Sequence, residues 1–94
     1  MAKVDLKPSL QVRYDKHGDV LYLAIGKPVP ATTDEDDEGL AFRYALDDGR
    51  PCGVTIIGYK SEHWNQKILA LSYKISGRLN LRDDLVVSAL STVI

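Results

Sequence analysis

Leu10-Gln11-Val12-Arg13-Tyr14-Asp15 is followed, after Lys16-His17-Gly18-Asp19, by Val20-Leu21-Tyr22-Leu23-Ala24-Ile25. In the first segment Leu10, Val12 and Tyr14 alternate with Gln11 and Arg13, the period of two that marks a strand with one buried face. The four residues between are turn formers, and Gly18 is expected to supply the positive φ of a tight hairpin. The second segment holds no charged residue. Its apolar, β-branched and aromatic side chains suit an interior strand that meets apolar surroundings on both faces. A hairpin over these residues sets the fold on a β-first course.

Moving outward, Gly26, Pro28 and Pro30 end that strand, because proline cannot donate to a ladder. Val29 to Thr33 is expected to form a short edge strand. Asp34-Glu35-Asp36-Asp37-Glu38 is a solid acidic block, expected to be a loop held open by its own repulsion. Leu40, Phe42, Tyr44 and Leu46 then alternate with Ala41, Arg43 and Ala45. Asp47-Asp48-Gly49-Arg50-Pro51 supplies a turn, and Cys52 to Tyr59 returns as another strand.

The period changes at Ser61. Trp64, Ile68, Leu71 and Ile75 recur at spacings of four, three and four, one stripe of a helix. Ser61 or Asn65 could cap its start and Gly77 could stop it. A second helix is expected from near Asn80. Asp83 and Asp84 would sit in its first turn, where the helix dipole favours negative charge, and Leu81, Leu85, Ala89 and Val93 would form its apolar stripe, with Val86 and Leu90 widening it. The predicted fold class is therefore α+β. A mainly antiparallel, four- or five-stranded sheet of successive hairpins over residues 10–59 precedes one or two helices over residues 61–94, in one domain spanning 1–94.

Length and composition agree. A chain of 94 residues, 45% hydrophobic and 27% charged, suits one ordered globular domain. The longest apolar run, Val20 to Ile25, falls far short of the roughly 20 residues a membrane helix needs. No secretory signal is legible among the first ten residues, and a cytoplasmic setting is expected. Cys52, the single cysteine, excludes an internal disulfide and a cysteine-based zinc cage. A net charge of −1 with no basic stripe argues against nucleic-acid binding.

Three stretches carry a family resemblance. Val12-Arg13-Tyr14-Asp15 with Asp19-Val20-Leu21-Tyr22-Leu23 is the first, and Thr33 to Leu40, through the acidic block, is the second. Asp48-Gly49-Arg50-Pro51-Cys52-Gly53-Val54-Thr55-Ile56-Ile57-Gly58 is the third. In order and spacing, residues 12–58 resemble the small bacterial proteins of the domain-of-unknown-function 2283 family. The resemblance implies a small β-rich fold in a bacterial cytoplasm and no activity, so no catalytic residue is carried over. Similar proteins often place acids near Ala45, Thr55 and Gly58, where this chain is neutral. The segment from Lys60 to Ile94 looks longer and more helical than the family's, which implies an added cap or contact surface.

Candidate chemistry is sparse. Asp15, His17 and Asp19 could bind a divalent metal or form a carboxylate-oriented base and, with the acidic loop, make a small metal-dependent hydrolase or ligand-binding protein. The competing reading is a turn in which both aspartates accept hydrogen bonds and His17 faces water, and it is favoured. Ser61 and His63 lie two apart, where helical side chains do not meet, so no nucleophile and base is assigned. Trp64 is expected to pin the helix to the sheet. Asp34, Glu35, Asp36, Asp37 and Glu38 lack the ligand spacing of a helix-loop-helix calcium site. They read better as a solvated or partner-facing surface that would steer a small basic protein. Cys52 reads as an inert thiol, and no cofactor motif is present.

The strands say most about partners. One face collects Leu40, Phe42, Tyr44, Val54 and Ile56, while the other keeps Ala41, Ala45, Ile57 and Tyr59. If both helices share one face, the other exceeds the few hundred Å² of apolar surface a monomer usually exposes. A homodimer is then expected. The functional expectation is a non-enzymatic interaction module, antitoxin-like or accessory. Asp34 to Glu38 and the apolar tail residues Leu90, Val93 and Ile94 are its expected contact residues.

Overall fold

The computed structural model describes residues 9–93. Five strands, β1 (Leu10–Asp15), β2 (Val20–Ile25), β3 (Ala31–Glu35), β4 (Leu40–Ala45) and β5 (Pro51–Ile57), precede a 3-10 turn at Trp64–Gln66. Two helices follow, α1 (Ile68–Leu79) and α2 (Asp83–Leu90). The α+β expectation holds, with five strands and two helices.

Every neighbouring pair of strands is antiparallel, in the order β1-β2-β5-β4-β3. A β1–β2 hairpin and a β3–β4–β5 meander are thus joined side by side through β2 and β5. That joint has one strict requirement. A Cβ on Gly53 would stand 2.6 Å from the Leu23 carbonyl oxygen, so only glycine lets the two backbones meet there. Beside it the β4–β5 register shifts between Arg43 and Tyr44, leaving Cys52 as the extra residue.

Both helices lie on one face. Leu21, Leu23, Leu40, Phe42, Val54 and Ile56 point at them and are at most 2% exposed, and α1 crosses β5 while α2 crosses β1. Leu71, Ile75, Leu79, Val86 and Leu90 come down from the helices to close this core.

Several local expectations are corrected. Gly18 does not carry the hairpin's positive φ; Asp19 does, at φ 55°. The edge strand starts at Ala31 rather than Val29 and includes Asp34 and Glu35, so the acidic block is part strand. Charges are well placed there, since they discourage pairing with a foreign strand. The first helix does not start at Ser61. The chain turns from Gly58, passes through the 3-10 turn, and enters α1 from an uncapped Lys67. Gly77 does not stop α1, which runs on to a left-handed Asn80 whose N–H bonds the Ser76 carbonyl. Asparagine tolerates that conformation almost as glycine does. Asp83 and Asp84 do occupy the first turn of α2, and its buried residues are Val86 and Leu90, expected only to widen the stripe, while Leu85 and Ala89 are half-buried.

Alternation in the sequence groups Tyr59 with Ile57, but the turn at Gly58, φ 76°, sends it into the helix-side core at 3% exposure. Leu46 lies past the end of β4 and is 63% exposed.

Candidate functional site

The three residues of the candidate metal or base site are used for folding. Asp15 Oδ1 accepts the His17 backbone N–H at 3.0 Å, and the His17 residue is exposed. Asp19 Oδ1 accepts the Tyr14 hydroxyl at 2.7 Å and the Lys60 N–H at 2.8 Å, while Oδ2 accepts the Ser61 N–H at 2.9 Å. Its main-chain carbonyl accepts the N–H groups of Gly58 and Tyr59. One aspartate thereby ties the first hairpin to the turn that launches the helices. Donation from Lys60 first, then from Tyr14 and Ser61, holds its carboxyl down at about 2. The hydrogen bond to Asp19 in turn pushes the Tyr14 phenol up to about 12. Among the described residues, no three His, Cys, Asp or Glu side chains are grouped to hold a metal ion.

The acidic block is divided by strand alternation. Asp34 sits opposite Phe42 in the register, on the helix side, and bonds Arg78 at 2.8 Å. Asp36 folds its own loop, accepting the N–H groups of Glu38 and Leu40, and Lys74 pairs with both Asp36 and Glu38. Partial burial raises the Asp36 carboxyl, but these hydrogen bonds outweigh it and the net shift is downward. Three of the five acids thus brace α1. Glu35 and Asp37 take part in no ion pair of the described residues. Together with Glu62 and Ile57 they line a cleft of about 380 Å³ at one end of the sheet.

The apolar tail of the sequence points to Leu90 as a partner contact. Leu90 is 1% exposed and fills this chain's own core, because α2 turns its Val86 and Leu90 stripe toward the sheet. Val93 packs partly against the same core. Ile94 lies outside the described residues.

The face away from the helices is the open surface. Strand pairing places Arg13, Tyr22, Ala24, Ala41, Arg43, Thr55 and Ile57 there. Ile57 is 51% exposed, whereas Ala41 and Ala45 are buried, at 8% and 3%. At the end away from the acidic cleft, a groove of about 510 Å³ runs over Tyr22, Ala24 and Cys52. The connector residues Pro28 and Val29 wall it, and Arg13, Lys27 and Arg43 supply three cations with no carboxylate among the lining side chains. The Arg13 guanidinium lies 4.6 Å from the centre of the Tyr22 ring. The basic residues look scattered in the sequence, and no local pattern marks Lys27. Only the β2–β5 pairing and the path of the connector bring Lys27, Arg13 and Arg43 together.

Residues 11–60, just over half of the chain, match the model of a family described as Protein of unknown function (DUF2283). The chain belongs to this family. No curated protein and no solved structure matches it. The DUF2283 match takes in the whole sheet apart from Leu10, and it includes both Asp19 and Lys60. It stops one residue before Ser61, so α1 and α2 lie beyond the part of the chain that defines the family. No helix of the described residues is long and apolar enough to cross a membrane.

Proposed function

We propose that this DUF2283 protein is a non-enzymatic interaction module of a bacterial cytoplasm, an accessory or antitoxin-like protein that docks through the helix-free face of its sheet. The observation that carries this reading is the placement of both helices on one face. It leaves Tyr22 and Ile57 in the open, between a basic groove and an acidic cleft. Surfaces that mix an aromatic or aliphatic anchor with a charged rim are the kind proteins use to bind one another. Asp34, Asp36 and Glu38 serve α1, so the anionic contribution to a partner falls to Glu35 and Asp37.

The test is recovery of partners by the tagged chain from its native host, compared with Ile57→Asp on the helix-free face and Leu69→Asp on the outer side of α1. Leu69 is 72% exposed and serves as the control. Loss with Ile57→Asp alone is the expected result. Equal recovery by all three chains would overturn the reading.

A further inference from the structure

We propose that the occupant of the helix-free face is a second copy of this chain, related by a twofold axis. In that arrangement Arg13, Lys27 and Arg43 of each copy face Glu35 and Asp37 of the other. This inference rests on the docking reading above and names its partner.

Three observations converge on it. First, the middle of the face is built of small residues. Ala24, Ala41 and Gly53 sit there in the strand register, so a second sheet meets few bulky side chains between the groove and the cleft. Tyr22 and Ile57 stand out from these small residues as the apolar anchors. Second, Arg13, Lys27, Arg43, Glu35 and Asp37 form no ion pair with one another or with any other of the described residues. The ion pairs among the described residues draw their cations from Arg50, Lys74, Arg78 and Arg82, and none uses Arg13, Lys27 or Arg43. Glu35 and Asp37 are equally absent from them. Third, the two signs are unequally distributed: the groove holds three cations and no carboxylate, while the cleft sets Glu35, Asp37, Glu38 and Glu62 against the single cation Lys67.

A foreign acidic segment would satisfy the groove and leave Glu35 and Asp37 unused, and a basic one would do the reverse. A second copy supplies both signs at once. Twofold symmetry makes the contact reciprocal, so each attraction is counted twice. The net charge of −1 imposes little overall repulsion between copies. Five strands and about six residues give a face of roughly 24 by 20 Å. That is about 480 Å², below the ~600–1,000 Å² per partner of stable specific interfaces, so a weak dimer dissociating in the micromolar range or above is expected.

The reciprocity provides the test, read by sedimentation equilibrium of the full chain. Arg43→Glu sets two acids against each other across the axis, and Glu35→Lys sets two cations. Each variant alone is expected to dissociate at least about tenfold more readily than the unaltered chain. Mixed in equal amounts, the two variants recreate opposite charges at both contacts. The mixture is expected to dimerise within about threefold of the unaltered protein. Both side chains belong to exposed residues, so the thermal midpoint of each monomer should stay put and serves as the folding control.

An unaltered chain that stays at 10.4 kDa up to about 200 μM would overturn the inference, as would a mixture no more dimeric than its components. If the chain is monomeric while Ile57→Asp still loses a host partner, the occupant is a foreign protein and only this inference falls. If the partner is also kept, the docking reading falls with it.

Discussion

The two faces of the sheet are built from the same strands by the same alternation, and they end in opposite states. On one, Leu21, Leu40, Phe42 and Ile56 are completely buried; on the other, Ile57 is half exposed and Tyr22 only partly covered. What separates the faces is the turn after β5. Gly58 and the Asp19 contacts to Lys60 and Ser61 direct the chain to one side, and α1 and α2 both stay there. Strand composition alone does not decide which face becomes a core. The direction in which the following helices leave does.

Three experiments press on that contrast. The largest effect belongs to the covered face. Phe42→Ala removes a fully buried ring that also carries Arg78 at 4.4 Å from its centre, and is expected to cost about 3–5 kcal/mol in urea unfolding. A loss below about 1 kcal/mol would mean that the helix-side core is not the one described.

Next comes the turn that chooses the face. Asp19 is held at about 2 in the fold against an ordinary 3.8, so folding favours its ionised form. Its contribution is complete above pH 3.8 and is lost as the pH falls toward 2. Tyr14 runs the other way. Its phenol is raised from 10.0 to about 12, so its contribution is whole below pH 10 and fades as the pH climbs toward 12. Asp19→Asn should lower the thermal midpoint at neutral pH and flatten the acid limb of the stability curve. An acid limb identical in both proteins would sever Asp19 from the turn.

The smallest effect is expected on the open face. Ile57→Thr should leave stability within about 0.5 kcal/mol in the same unfolding measurement, because half of the side chain already meets water. A larger loss would show that Ile57 is part of the core rather than of an open face.

Much of the fold was legible because it rests on local periods. The alternation in Leu10–Asp15 and Leu40–Ala45 marked those strands, and the spacing of Ile68, Leu71 and Ile75 marked the inner stripe of α1. Errors gathered where a residue serves a distant contact. Asp19 reads as turn chemistry or a metal ligand in sequence, because its donors at Lys60 and Ser61 lie more than forty residues away. The acidic block reads as one charge run, because only the β3–β4 register shows that Asp34 faces α1 while Glu35 faces away. Leu90 reads as a greasy tail until α2 is seen to fold back across β1.

By itself, then, the sequence determined the class of fold, its strands and the helical third, since alternation, turn residues and a 3.6-residue stripe are properties of neighbours along the chain. It also contained the conditions for two unequal faces. Which face stays open, and which charges gather on it, was decided only by the tertiary structure. The join of β2 to β5, the side on which the helices settle and the meeting of Arg13, Lys27 and Arg43 are contacts between segments far apart in the chain, and no local pattern encodes them.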